Sequence, residues 1–319
     1  QGRHARLARI YAEQPAQIVH AHLAGGASAP LRPAPDLTAE AVDQSARIVA
    51  VMGVEPLQAA LAAGAQVVIA GRCTDAAIFA ALPLMAGFDP GAAWHLGKIL
   101  ECGAAAVEQR SAPDCMLGTV DEEGFTVRPL RPDYRCTPQS VASHALYETA
   151  DPLSVVEPSG TLSLHESRYR AVDERTVRVT GSRFLPAARH SNKIEGVRLC
   201  GHSTVVFGAI RDPYILAQLD GWLAGLDRLV ETRLTDVASP GAYEIVTHVY
   251  GRNGVMGPAE PTPQVEGHEV AILWNVIAET QALAESVATS LCHLALYNPI
   301  GKWSGLITGV SDSLGEGAT

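Results

Sequence analysis

Aromatic residues make up only 5% of this 319-residue chain, and charged residues only 18%. Cysteine is sparse as well. Cys73, Cys102, Cys115, Cys136, Cys200 and Cys292 are scattered, with no C-x-x-C pair. That usage excludes a disulfide-stapled scaffold and predicts a reduced, cytoplasmic chain. Positive charge is in deficit, with a formal net charge of -10. The deficit argues against nucleic acid or an anionic membrane as partner, while a local arginine can still hold an anionic small molecule. No apolar run approaches the roughly 20 residues of a membrane helix, and no secretory leader pattern opens the sequence. There is no G-x-G-x-x-G, no P-loop and no G-x-S-x-G, so nicotinamide, ATP-driven and serine-hydrolase chemistries lack their signatures.

What is present is an α/β pattern. Residues 1–114 alternate helix and strand: a short strand over 17–22, then a helix capped by Thr38 that carries Val42, Ile48, Val49 and Met52. A second helical piece opens at Pro56 and ends before Gly64. The run Val67-Val68-Ile69-Ala70 reads as a buried parallel strand, with helices over 75–85 and 90–109 beyond it. Alternation of this kind predicts a Rossmann-like layered sheet, parallel or mixed. Residues 115–200 are rich in turns and short strands. Residues 201–310 read β-α-β-β-α, a two-layer α+β unit with both helices on one face of its sheet, followed by a tail over 311–319.

Several residues carry candidate chemistry. Gly71-Arg72-Cys73-Thr74-Asp75 joins the strand to a helix, placing a glycine, a guanidinium and free helix N–H groups where open α/β sheets bind anions. Arg72 either grips a carboxylate or phosphate there, or pairs with Asp75 and ties the turn. Glu101 could move a proton if burial raised its pKa, and Cys102 could act as a nucleophile. His165 and Arg183 offer an acid/base group and a second anion clamp. Lys193 and Glu195 read equally as an anion site and as a surface pair. His20-Ala21-His22, on a strand, would aim both imidazoles one way, as a metal-dependent hydrolase requires. No third or fourth ligand follows at a known spacing.

Five blocks together resemble the acyclic terpene utilisation family. They are the stretch from Gly64 to Ala77, Leu100-Glu101-Cys102-Gly103-Ala104, the pair Ala145-Leu146-Tyr147-Glu148 with Glu157-Pro158-Ser159-Gly160, the run Val177 to Arg183, and Lys193-Ile194-Glu195-Gly196. The second block departs from the family at Gly97-Lys98, where members often carry Gly-His. The resemblance implies that residues 1–114 lack part of the family's N-terminal α/β segment. It also implies a loop near the site at Glu157 and Ser159, and an acyl-CoA or carboxylate substrate, with coenzyme A entering as part of that substrate. The resulting expectation is an enzyme of branched acyl catabolism, a lyase or hydratase working by proton transfer. Glu101, Glu157, Arg183 and Lys193 would converge on Arg72. The rivals are a metal-dependent hydrolase using His20 and His22, and a non-catalytic subunit of an acyl-CoA enzyme complex. Self-association, or pairing with a family partner subunit, is expected.

Overall fold

The structure is a computed structural model that describes residues 4–146, 149–239, 241–262, 264 and 267–300, and the backbone of 315–318. The chain folds as two compact units, residues 1–198 and 199–319.

The first unit opens with β1 (Leu7–Ile10), α1 (Ala16–Ala24), α2 (Ala39–Asp43), β2 (Arg47–Ala50), α3 (Glu55–Ala62), β3 (Val67–Ala70), α4 (Asp75–Met85) and α5 (Pro90–Leu100). It continues with β4 (Met116–Val120), β5 (Gly124–Pro129), α6 (Pro138–His144), β6 (Ser154–Glu157), β7 (Gly160–Ser163), β8 (Arg168–Ala171), β9 (Val177–Thr180), β10 (Arg183–Pro186) and β11 (Ile194–Val197). β1 and β3 pair in parallel, Leu7 opposite Val67. One further parallel bridge joins Met52 to Cys73. β2 pairs with β11 antiparallel, and the other ladders of this unit are antiparallel too. The Rossmann-like layering expected from the alternation is therefore reduced to one two-stranded parallel ladder among the described residues. A layered parallel sheet needs strands covered on both faces, and β3 leaves Val67 45% and Ile69 58% exposed.

Two local expectations are corrected. Residues 17–22 lie in helix α1, where Ala16, Ala21 and Ala24 supply helix propensity. Ile48 and Val49 lie on β2 instead of a helix. Thr38 does cap α2 through Ala41 N at 3.1 Å, but the Ser45 hydroxyl donates to Ala41 O at 2.7 Å just past the end of α2. The β-branched run that follows is free to extend.

Helix α5 is the centre of this unit. Asp89 caps it through Ala92 N at 2.9 Å, and every residue from Gly91 to Ile99 is buried. Leu96 and Ile99 pack on Phe125, Val127, Val177 and Val179 of the sheet β4-β5-β9-β8. Trp94 points the other way, toward Ala76, Ala80 and Leu162, and stacks on Phe184 with ring centroids 5.6 Å apart. Gly97 meets α4 directly, since a Cβ there would lie 2.5 Å from Ala76 O. The helix expected to reach residue 109 stops at Leu100, where a 3₁₀ turn at Gly103–Ala106 takes over.

The second unit contains β12 (His202–Ile210), α7 (Pro213–Leu216), α8 (Leu219–Leu234), β13 (Tyr243–Tyr250), β14 (Val270–Ala278), α9 (Gln281–Tyr297) and β15 (Gly315–Ala318). The sheet order is β13-β14-β12-β15, all antiparallel. Trp222, Leu226 and Val230 of α8 and Val287 and Leu291 of α9 share one core with Val206, Ile272 and Trp274. This is the β-α-β-β-α order read from the sequence. The first helix is divided, because Gln218 leaves helical geometry at φ -124°. Arg252, in the turn after β13, pairs with Asp220 of α8. The expected tail over 311–319 lies outside the described residues apart from the backbone of β15.

Candidate functional site

The joint between β3 and α4 is fixed by main-chain bonds. Met52 N donates to Arg72 O at 3.0 Å, and Thr74 N donates to Met52 O at 2.9 Å. Gly71 passes against Ala12 so closely that a Cβ would lie 2.8 Å from Ala12 Cβ, so only glycine fits without a shift. Thr74 stands at the N-cap in extended geometry, but its side chain makes no capping bond. A groove of about 520 Å³ runs along β3 between α3 and α4. Leu57, Leu61, Val68, Ala70, Ile78 and Ala81 give it apolar walls, and Arg72, Cys73 and Asp75 line it at the strand's carboxyl end.

Arg72 does not pair with Asp75. Its Nε lies 3.5 Å from Glu195 Oε2, while Lys193 Nζ lies 2.6 Å from Glu195 Oε1. The two cations, Lys193 foremost, hold the Glu195 carboxyl below the usual range. Lys193 and Glu195 thus form an ion pair, and the pair sits against the strand-end arginine.

Behind Cys73 lies a buried polar cluster. Lys98 Nζ and Glu101 Oε1 are 2.5 Å apart, with both side chains only 8% exposed. Glu157 is buried at the end of β6 and interacts electrostatically with Thr74, Glu101, Lys98 and Asp75. Burial pushes its pKa up to about 7; the Thr74 hydroxyl and Lys98 oppose the rise, and Glu101 and Asp75 add to it. Neither Thr74 Oγ1 nor Glu157 Oε2 has a well-formed hydrogen bond among the described residues. Buried polar atoms are rarely left so, and here the two lie against each other, the Thr74 hydroxyl opposing the rise in the Glu157 pKa. Cys73 connects this cluster to the groove, since its thiol responds to Asp75, Arg72 and Glu157. Burial raises the Cys73 pKa, which disfavours a thiolate there.

His95 and His144 complete the interior. His95 Nδ1 is 2.7 Å from Ser182 Oγ, and the ring meets Phe125 edge-on at 5.1 Å. Burial and then His144 lower its pKa to about 3. Burial also lowers His144, with Lys98 adding to the effect.

Other candidates lie elsewhere. Arg183 pairs with Glu166 at 2.6 Å and is 65% exposed. Its Cα would be 2.8 Å from a Cβ on Gly91. Gly91 and Glu101 are opposite ends of α5, roughly 15 Å apart at 1.5 Å per residue. His165 is exposed in the turn beside Glu166. Neither residue therefore joins Arg72, because β10 and that turn pack at the far end of the helix. Ser159 sits half-buried in the turn after Glu157, its carbonyl accepting from Ala187 N at 2.9 Å. Cys102 is half-buried at the start of the 3₁₀ turn. His20 and His22 lie two residues apart on α1, so they point to different sides of a helix. His20 pairs with Asp43 at 2.8 Å. Among the described residues no group of three or more His, Cys, Asp or Glu side chains is placed to hold a metal ion. Tyr147 and Glu148 lie outside the described residues.

The arrangement of Arg72, Glu101, Glu157 and Glu195 joins four of the sequence blocks at one strand end. A family model for acyclic terpene utilisation family protein AtuA matches residues 1–310. The chain belongs to the AtuA family. No curated protein and no solved structure matches it. Lys98, His95 and His144 were not singled out as site residues from the sequence of this AtuA family member. The one available signal for Lys98 was its position, one helical turn before Glu101.

Proposed function

We propose that this chain is an enzyme of branched acyl or carboxylate catabolism that works by proton transfer, in lyase or hydratase chemistry. The observation that carries the reading is Glu157, a buried carboxyl with a pKa of about 7 next to an apolar groove with an arginine at its polar end. A group poised near neutral pH both takes and gives protons, which is the requirement for general acid–base work. The apolar walls take the branched chain and Arg72 holds the anionic end. In hydration of an α,β-unsaturated acyl group, the Glu157 carboxylate takes a proton from water as the hydroxyl adds to the β-carbon. It then delivers that proton to the α-carbon and is regenerated. Burial keeps the Glu157 pKa high, and Glu101 adds to the rise. Family membership supports a role in acyclic terpene utilisation.

The test is turnover of branched α,β-unsaturated acids and their coenzyme A thioesters. Glu157→Gln is expected to lower kcat by about 10²- to 10⁴-fold, and Arg72→Ala to raise KM. Full turnover by folded Glu157→Gln protein would falsify the assignment. A second reading, a subunit that docks on a partner chain or on a second copy, is favoured by one feature. The outer side of α4 leaves Ile78 60%, Leu82 63% and Met85 43% exposed, and a helix apolar all round is ordinarily covered. Among the described residues no helix is long and apolar enough to cross a membrane.

A further inference from the structure

Arg72, Lys193 and Glu195 are each anchored by backbone. Glu195 is fixed on β11 opposite Val49, Lys193 O accepts from Val51 N at 2.8 Å, and Arg72 O accepts from Met52 N at 3.0 Å. Their side chains are 47%, 45% and 40% exposed for Arg72, Lys193 and Glu195, so a ligand can reach all three. Glu195 takes the Nε side of Arg72. Arg72 also lines the groove. A guanidinium held on one side by a carboxylate presents its other edge as a two-toothed fork.

We propose that Glu195 is the specificity-determining residue for the charge of the head group, and that it selects a singly charged carboxylate over a doubly charged phosphate. The two cations and one carboxylate leave one net positive charge, which one carboxylate matches. A second negative charge on the ligand would face Glu195, and Asp75 on the groove wall as well. The free acid, and not a phosphate-bearing end of a larger molecule, is thereby the species that seats at Arg72. This rests on the reading of the groove and Arg72 as the substrate site.

The experiment is calorimetric titration of the full chain with octanoate and with octyl phosphate at pH 8, where the phosphate is a dianion. The unaltered protein is expected to bind octanoate more tightly. Glu195→Gln is expected to shift the ratio of the two affinities toward the phosphate by on the order of tenfold, from one unit charge a few ångströms away in a half-exposed site. Glu195→Asp keeps the charge and is expected to keep the preference. An unchanged ratio in Glu195→Gln, a preference of the unaltered protein for octyl phosphate, or binding of neither probe would each overturn the proposal. Turnover plays no part in this readout. A chain that shows the shift but processes no acyl substrate keeps this inference and loses the catalytic reading.

Discussion

Lys98 and Glu101 lie one turn apart at the end of α5 and meet at 2.5 Å with both side chains 8% exposed. Taking two charges out of water costs several kcal/mol per ion, and a pair of this kind often adds nothing to stability. Its place beside Glu157 couples it to that carboxyl: burial is the main cause of the raised Glu157 pKa, Glu101 adds to the rise and Lys98 opposes it.

Breaking the pair from one side should therefore cost far more than removing it. Lys98→Met strands the Glu101 carboxylate and is expected to destabilise by about 3–5 kcal/mol. Lys98→Met with Glu101→Leu should recover most of that loss while turnover stays low. Urea denaturation of both variants gives the comparison. Additive losses in the double variant would show that the two charges do not act as a unit.

Glu157 makes stability depend on pH in a defined direction. Its folded pKa of about 7 lies above the ordinary 4.5, so the folded state holds the proton longer than the unfolded state does. The protein bears no penalty below 4.5, loses stability as pH rises through 7, and loses no more beyond. The full loss is about 3 kcal/mol. Glu157→Gln should melt higher than the unaltered protein at pH 8, with the two curves converging near pH 4.5. Parallel curves across that window would mean that the carboxyl titrates normally.

His95 acts on the opposite limb. Its pKa falls from 6.5 to about 3 on folding, so it must stay neutral in the folded chain. Its share of stability is complete above 6.5 and is lost as pH drops toward 3. His95→Gln keeps a polar side chain near Ser182 and removes the titration. It is expected to cost about 1 kcal/mol at neutral pH through the altered hydrogen bond, and to fall less steeply on acidification. His144, also lowered by burial, leaves part of the slope in place. Thermal melts between pH 4 and 8 decide the matter, and an acid limb as steep as before would remove His95 from this role.

What the sequence disclosed and what it hid follow from how local each cause is. Helix α4 was readable over its whole length because Thr74 and Asp75 punctuate its start. Strands β13 and β14 were readable because their runs are bounded by turn residues and rich in β-branched side chains. Helix α1 was misread as a strand because Ile18 and Val19 outweighed its alanines. The second helix was extended through Ile48 and Val49 because their apolar spacing from Val42 masks the break that Ser45 marks just past α2. At the site, Arg72 was placed correctly at a strand end, yet its partner, Glu195, lies more than a hundred residues away and is supplied by β11. Glu157 was read as a loop residue near the substrate. Its burial, which gives it acid–base character, comes from packing among α4, α5 and β6 and leaves no mark in the neighbouring letters. The burial of Lys98 leaves no mark in the neighbouring letters either.

The meeting of Gly97 with Ala76 O has a consequence for how substrate preference can drift. Gly97 immediately precedes Lys98 on α5, and Ala76 immediately follows Thr74 and Asp75 on α4. The spacing of α4 and α5 is thus set where two main chains touch, and no rotamer change can alter it. Selection for bulkier or slimmer molecules has no purchase on that side. It would have to act through Leu57, Leu61 and Ile78 along the groove, leaving Lys98, Glu101 and Glu157 untouched.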